Sequence, residues 1–145
     1  MISAPIRITR VHPDAELPAY KTAGAVAFDL PLVEDLVIPA RSAAKGRTGL
    51  IFKIPEGYGL FLFARSSTFD KTGLMLANSV GVIDQDFCGP TDEVQVNYWN
   101  ATDQEIRLPK GTRLAQGAFL PVLRAEWEEG EATGIARGGF GTTGP

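Results

Sequence analysis

The chain has 145 residues, 44% hydrophobic and 21% charged, so it is long enough for one well-buried core and too short for two. Its net charge of −3 and its pI near 5.1 exclude the broad basic surface that duplex nucleic acid requires, so we expect no nucleic-acid partner. A single Cys excludes an internal disulfide framework and a cysteine-rich zinc site, and a single His argues against a histidine-based metal site and against Ser-His triad chemistry.

The chain carries no sequence signal for a membrane. No stretch approaches about 18 consecutive apolar residues, and the first residues lack a basic region followed by an apolar run. We therefore expect a cytoplasmic protein without a membrane partner.

The periodicity along the chain is that of strands. Six short segments rich in β-branched or aromatic residues are predicted strands: residues 6–11, 25–30, 49–54, 58–64, 93–99 and 113–122. Pro- and Gly-containing turns separate them at residues 39–42, 55–57 and 109–111, and the only predicted helical turn lies near residues 66–73. The spacing predicts an all-β domain over residues 1–134, built of hairpins in a closed barrel or jelly roll.

A strand-end segment carries cationic and hydroxyl groups. Arg65, Ser66 and Ser67 follow the apolar strand 58–64, where a guanidinium and two hydroxyls can face phosphate. The alternative is an ordinary solvated Arg at the end of a loop.

Two carboxylates follow an apolar run in the next polar segment. Asp84 and Asp86 stand two residues apart after residues 80–83, so along an extended backbone both would lie on one side. That arrangement suits water activation or contact with a metal, and a charged turn between strands is the alternative. Further along, Gln116 stands in a predicted buried strand, where its amide needs a hydrogen-bond partner.

The C-terminal residues 135–145 form a predicted mobile, Gly-rich arm. Four glycines and two threonines surround Phe140, so the segment cannot hold a helix or strand, and it stays mobile unless a ligand orders it. The ring can stack on a base, while Arg137, Thr142 and the amide of Gly141 can donate to phosphate. This chemistry suits a nucleotide; a disordered chain end is the alternative.

Taken in order, five segments resemble the five motifs of the trimeric dUTP diphosphatases (dUTPases). They are residues 24–30, 64–67, 81–87, 113–116 and 139–144, and the resemblance covers nearly the whole chain. It implies a jelly-roll-like distorted β-barrel, a homotrimer with active sites shared between subunits, and Mg²⁺-assisted hydrolysis of dUTP to dUMP and pyrophosphate. That reaction limits uracil incorporation into DNA and supplies dUMP for thymidylate synthesis.

The resemblance also implies roles for individual residues. Asp84 would activate the water that attacks the α-phosphorus, Gln116 would contact the phosphate chain together with Arg65 and Ser66, and Asp29 would support the water shell of the metal. The uracil edge would be read in a tight hairpin, and Phe87 would stack under the deoxyribose. The residues that would contact the uracil edge are Asn78, Gly81, Val82 and Ile83. The arm would reach a neighbouring subunit and place Phe140 on the uracil.

This chain departs from the family's pattern at several positions. Phe87 stands where the family usually has Tyr, about two extra residues surround Pro90, and Arg137 precedes Phe140 by three positions rather than five. Ser67 replaces the usual Gly, a feature shared with the related dCTP deaminases.

Two other functions stay open at this point. A dCTP deaminase would need a Glu base where this chain has Asn97. A non-catalytic nucleotide-binding regulator would not need the water-directing carboxylate of Asp84.

Overall fold

A computed structural model of the chain describes residues 4–140, which form eleven short strands and one helix. The elements are β1 (Arg7–Arg10), β2 (Phe28–Pro31), β3 (Leu36–Ile38), β4 (Ala43–Arg47), β5 (Leu50–Lys53), β6 (Tyr58–Ala64), α1 (Thr68–Thr72), β7 (Leu74–Leu76), β8 (Gly81–Ile83), β9 (Gln95–Asn100), β10 (Ile106–Leu108) and β11 (Arg113–Pro121). Each of the six predicted strands is present, and α1 lies inside the predicted helical turn. The strands that sequence reasoning did not separate are mostly three residues long, too short to show a period.

The strands form four antiparallel sheets. The largest has the order β2-β11-β6-β8, a second has the order β4-β9-β7, and β1-β5 and β10-β3 are pairs. Neighbours in a sheet are mostly distant in sequence, and the predicted all-β, jelly-roll-like class is confirmed.

The predicted hairpins at two turns are wrong. The turn at residues 55–57 leads from β5 to β6, and the turn at 109–111 leads from β10 to β11, but each pair of strands lies in two different sheets. The turns themselves are real, since Gly57 and Gly111 adopt φ of 80° and 81°. Turn chemistry reverses the chain locally, whereas the partner of a strand depends on which apolar faces it must bury. The apolar β6 pairs along its whole length with the long β11.

The core lies between the sheets and is filled by aliphatic and aromatic side chains from most of the strands. Phe28, Phe52 and Phe119 form an aromatic group in it, with ring centroids 5.7 to 6.1 Å apart. Gly117 of β11 lies against this group, where an added Cβ would come within 2.8 Å of the Phe28 ring. The close approach of β2 to β11 therefore depends on that glycine.

A buried polar side chain fixes the loop after β9. Asn100 is fully buried, and its Nδ2 donates to the carbonyls of Ile38, Pro39 and Gln104 at 2.7 to 3.1 Å. Its Oδ1 accepts from the amide and hydroxyl of Thr102. Every polar group of this side chain is thus satisfied, as burial requires.

The hydroxyl of Tyr98 is the contrasting case. The Tyr98 side chain is fully buried, its oxygen has no hydrogen-bond partner among residues 4–140, and burial raises the pKa of the phenol. An unpartnered buried hydroxyl costs about 1–3 kcal/mol. We therefore expect Tyr98→Phe to raise the free energy of unfolding by about 1 kcal/mol at neutral pH.

We also expect Tyr98→Phe to change how the free energy of unfolding depends on alkaline pH. Because burial raises the pKa of Tyr98, the unfolded chain loses this proton above the ordinary value of 10.0 while the folded chain keeps it, so the parent protein loses stability as the pH rises above that value. Tyr98→Phe has no proton to lose, so its stability advantage over the parent should be larger near pH 11 than near pH 7. Denaturant unfolding of both proteins at equal concentration, near pH 7 and near pH 11, measures both effects. A variant less stable than the parent at neutral pH would contradict the prediction, because it would mean that the hydroxyl has a partner.

Candidate active site

An ion-pair cluster forms at one end of the largest sheet, where β2, β11 and β6 meet. Asp29 alternates along β2 with buried Phe28 and Leu30, so its carboxylate lies on the opposite face. Arg65 Nε lies 2.9 Å from Asp29 Oδ1, and Arg113 Nη1 lies 3.6 Å from Asp29 Oδ2. The Asp29 side chain is only 14% exposed, so water screens these ion pairs less than pairs on an open surface.

Gln116 belongs to the same cluster. Its backbone pairs with Asp29 on one side and with Phe63 on the other, which places it in the middle of the sheet. The Nε2 of Gln116 donates to the carbonyl of Ala64 at 3.1 Å. The prediction that this half-buried amide needs a partner is confirmed.

The turn after β6 holds Arg65 and the two serines. The Arg65 amide and the buried Thr68 hydroxyl both donate to the Leu114 carbonyl, at 3.1 and 2.7 Å, which fastens this turn and the start of α1 to β11. Ser66 is exposed in the turn, and the half-buried Ser67 precedes α1 without a side-chain capping bond. Both hydroxyls are thus left available for a ligand.

Arg113 is a functional candidate that sequence reasoning missed. A β-bulge between Arg113 and Ala115 shifts the register of β11 against β2. The alternation of side chains along a regular strand therefore does not predict the face of the sheet on which Arg113 lies. Arg65 Nη1 also donates to the Arg113 carbonyl at 2.9 Å. Arg113 lies in the 113–116 segment that carries the family resemblance, but the strand pattern of that segment does not reveal the bulge.

We call Asp29, Arg65, Arg113 and Gln116 the Arg65 cluster. It contains two guanidinium groups and one carboxylate, so within residues 4–140 one positive charge of the cluster has no carboxylate partner. Guanidinium groups bind phosphate by charge and by paired N–H donors. The cluster therefore has the charge and the donors to bind a polyphosphate.

The second candidate group lies around β8, an edge strand paired with β6. Asn78 is exposed in the loop before it, and the Val80 amide donates to the Asn78 carbonyl at 2.7 Å. Gly81, Val82 and Ile83 form β8 itself. The predicted hairpin is not present, because β7 pairs with β9 while β8 pairs with β6.

After β8 the chain turns at residues 84–87, which we call the Asp84 turn. The Phe87 amide donates to the Asp84 carbonyl at 3.2 Å, so the backbone here is not extended. The expectation that Asp84 and Asp86 share one side of an extended strand is therefore wrong. The Asp84 carboxylate is exposed and makes no ion pair with any residue the structure describes, and the Phe87 ring is 38% exposed. This leaves a carboxylate and an aromatic face open to a ligand.

The Arg65 cluster and the Asp84 turn lie at opposite ends of one sheet. Leu60 of β6 pairs with Ile83, which places Asp84 beside Gly59, whereas Arg65 follows the other end of β6. About six residues of strand at about 3.3 Å each separate the two groups by about 20 Å. One chain alone does not bring them together.

The extra residues near Pro90 are contained in a closed turn. The Gly89 amide donates to Asp92 Oδ2 at 2.7 Å, and the Asp92 amide donates back to the Gly89 carbonyl at 3.1 Å. The following residue, Glu93, is held by Arg47 at 3.0 Å and by the Gly49 amide at 2.7 Å. The chain is thus fixed again as soon as the insertion ends.

The C-terminal segment extends from the sheet as irregular chain. β11 ends at Pro121, and residues 122–140 contain no helix or strand. Arg137 and the fully exposed Phe140 lie in this segment. Gly141 and Thr142 lie outside the described residues. The predicted domain boundary at residue 134 stays a prediction.

The part of the chain that the structure describes contains neither a cluster of metal-binding side chains nor a membrane-spanning helix. Residues 4–140 hold no cluster of three or more His, Cys, Asp or Glu side chains that could form a metal cage. Over the same residues, no helix is long and apolar enough to cross a bilayer.

These features define a β protein with the chemistry to bind a nucleotide, and comparison with known proteins makes the assignment specific. The sequence profile of the dUTPase family matches residues 13–144. The chain is 40% identical to the deoxyuridine 5'-triphosphate nucleotidohydrolase of Desulfitobacterium hafniense over 99% of both chains. It is 39% identical to that of Wolinella succinogenes, over 96% of this chain and 93% of the relative.

A solved structure agrees with the sequence relatives. The crystal structure of the dUTPase from Streptococcus mutans superposes with a TM-score of 0.76 at 34% identity, covering 86% of this chain and all of the other. The chain belongs to the dUTPase family.

Proposed function

We propose that the chain hydrolyses dUTP to dUMP and pyrophosphate by directing a water molecule at the α-phosphorus. Family membership supports the reaction. Among the residues, the main support is the excess positive charge of the Arg65 cluster, which can bind a triphosphate. A triphosphate supplies the complementary negative charge. No covalent nucleophile is needed, because positioning and charge stabilisation account for much of the catalysis of phosphoryl transfer.

The phosphate chain binds at the Arg65 cluster. Arg65 already orients its guanidinium through Asp29 and the Arg113 carbonyl, so little side-chain freedom is lost when phosphate binds. Ser66 and Ser67 add hydroxyl donors from the turn. Gln116 adds an amide held by the Ala64 carbonyl.

Asp84 acts as the general base. Its exposed carboxylate has no ion-pair partner among residues 4–140, so it is free to accept a proton from the attacking water. A positioned base contributes about 10²–10⁴-fold to the rate.

The nucleoside binds around β8 and the Asp84 turn. Asn78 and the backbone of Gly81, Val82 and Ile83 read the uracil edge, and Phe87 stacks under the deoxyribose, where it leaves no room for a 2′-hydroxyl. A Phe ring can exclude that hydroxyl by its size alone.

Each active site is shared between subunits of a homotrimer. Reacting atoms must come within about 3–3.5 Å, so groups about 20 Å apart in one chain cannot act on one α-phosphate. The Arg65 cluster of one subunit and the Asp84 turn of another therefore form one site. The arm of a neighbouring subunit adds Phe140 over the base and Arg137 toward the phosphates, with Gly141 and Thr142 as further donors.

Mg²⁺ is the expected cofactor. Mg²⁺ keeps several waters and binds through one or two carboxylates plus substrate phosphates. The absence of a protein metal cage among the described residues is compatible with that mode, and Asp29 fits it as an outer partner, because the lone pairs it does not share with the arginines can accept from metal-bound water. When bound, the ion would neutralise charge on the phosphates.

The two alternatives have less support. Asn97, where a deaminase would need its Glu, lies half-buried in β9 and has an amide that cannot act as a base. A purely binding regulator has no use for the open carboxylate of Asp84. The cytoplasmic location stays a prediction.

Pyrophosphate release separates these functions in one assay. We expect release from dUTP with Mg²⁺, and kcat/KM for dCTP at least about 10⁴-fold lower, because cytosine leaves polar groups of the pocket unpaired. We also expect lower kcat/KM for UTP, whose 2′-hydroxyl meets the Phe87 ring, and for dTTP, whose 5-methyl group must fit against the backbone that reads the uracil edge. Ammonia release from dCTP would support the deaminase instead. Nucleotide binding without any product would support the regulator.

A further inference from the structure

One glutamine in the Asp84 turn makes a hydrogen bond to a neighbouring strand and has no part in the function proposed above. Gln85 directly follows Asp84, and its Nε2 donates to the carbonyl of Tyr58 at 3.0 Å. Tyr58 is the first residue of β6, the strand to which β8 is paired. The side chain thus reaches from the turn back to the neighbouring strand.

This bond lies just past the end of the ladder. Backbone pairing between β8 and β6 runs from Gly81–Leu62 to Ile83–Leu60 and goes no further. On the other edge of β6, Tyr58 pairs with Pro121 of β11. The Gln85 amide therefore acts as an additional rung, made by a side chain, after the three-residue strand has ended.

Packing alone does not hold the turn in place. A cavity of about 220 Å³ borders Gln85 and is also lined by Glu56, Gly57, Val122 and Arg124. Asp84 and Asp86 on either side of Gln85 are exposed. A turn with open space beside it and exposed neighbours depends on the few polar bonds it makes.

We infer that Gln85 is a positioning residue that holds the Asp84 carboxylate in its catalytic direction through the hydrogen bond to the Tyr58 carbonyl. The inference rests on the proposed role of Asp84 as general base. Gln85 itself does not touch the substrate in this scheme; it fixes the backbone that carries the base.

The test is a double-mutant cycle in the full-length protein. Gln85→Ala removes the donor, and Gln85→Met removes it while keeping nearly the same size and adding no charge, so a folding defect of the first variant does not end the test. In the wild-type background we expect each to lower kcat for dUTP about 5- to 10-fold, the effect of one hydrogen bond. In the Asp84→Asn background we expect less than about a 2-fold further loss, because the residue being positioned is already gone.

Gln104→Ala is the matched control. Gln104 is exposed in a loop, and its side chain makes no hydrogen bond to the described residues. The kcat of the Gln104→Ala variant is therefore expected to match that of the wild type. Wild-type kcat in both Gln85 variants would overturn the inference, and so would an equal loss with and without Asp84. Failure of the wild-type protein to hydrolyse dUTP would instead refute the proposed function.

Discussion

Asp84→Asn is expected to lower kcat for dUTP at least about 10²-fold while nucleotide binding and the fold persist. The amide has nearly the same shape as the carboxylate but cannot accept a proton from water. Because the Asp84 side chain is exposed and makes no ion pair with a described residue, its replacement should leave the packing unchanged. Pyrophosphate release measures kcat, and equilibrium binding of a non-hydrolysable dUTP analogue measures retained affinity.

Asp86→Asn is the matched control for this prediction. Asp86 is exposed in the same turn and loses the same charge on substitution. A merely electrostatic effect of the turn would reduce kcat similarly in both variants, whereas a general base makes Asp84 alone essential. Near-normal turnover of Asp84→Asn would remove this residue from the proposed role.

Mixing two inactive variants is expected to restore activity. In the proposed homotrimer, Asp84→Asn would damage one half of each shared site and Arg65→Ala the other half, so a mixed trimer would contain some sites with both halves intact. With random assembly of equal amounts, about one quarter of the sites draw both halves from undamaged subunits. Co-refolded mixtures should therefore reach about a quarter of wild-type kcat per chain.

The control pair places both substitutions in the same half. Asp84→Asn mixed with Asn78→Ala leaves every site with a damaged nucleoside half, so we expect no gain above the two parents. If the first mixture also stays inactive while mixed trimers are shown to form, the halves of the site do not come from different subunits.

The two predictions depend on different levels of the structure. The proposed role of Asp84 rests on a residue pattern, because an acidic residue after a short apolar run resembles a family motif. The complementation follows from strand register, because only the pairing of Leu60 with Ile83 puts Asp84 at the end of β6 opposite Arg65.

Local sequence signals determined a large part of this protein. The six predicted strands, the turns and the short helix depend on side chains within a few residues of one another, and those elements are confirmed. Five short motifs in a fixed order were sufficient to recognise the family, and the family match and the relatives confirm it.

The tertiary structure decided which strands pair and what the motifs contact. The turns at residues 55–57 and 109–111 join strands of different sheets, and the bulge in β11 brings Arg113 to Asp29. These outcomes depend on which apolar faces pack together across the core and on the register between strands distant in sequence. A periodic pattern in one segment does not say which distant strand will pair with it. The sequence alone therefore determined the strands and the types of polar side chain, and packing determined where in the fold those side chains lie.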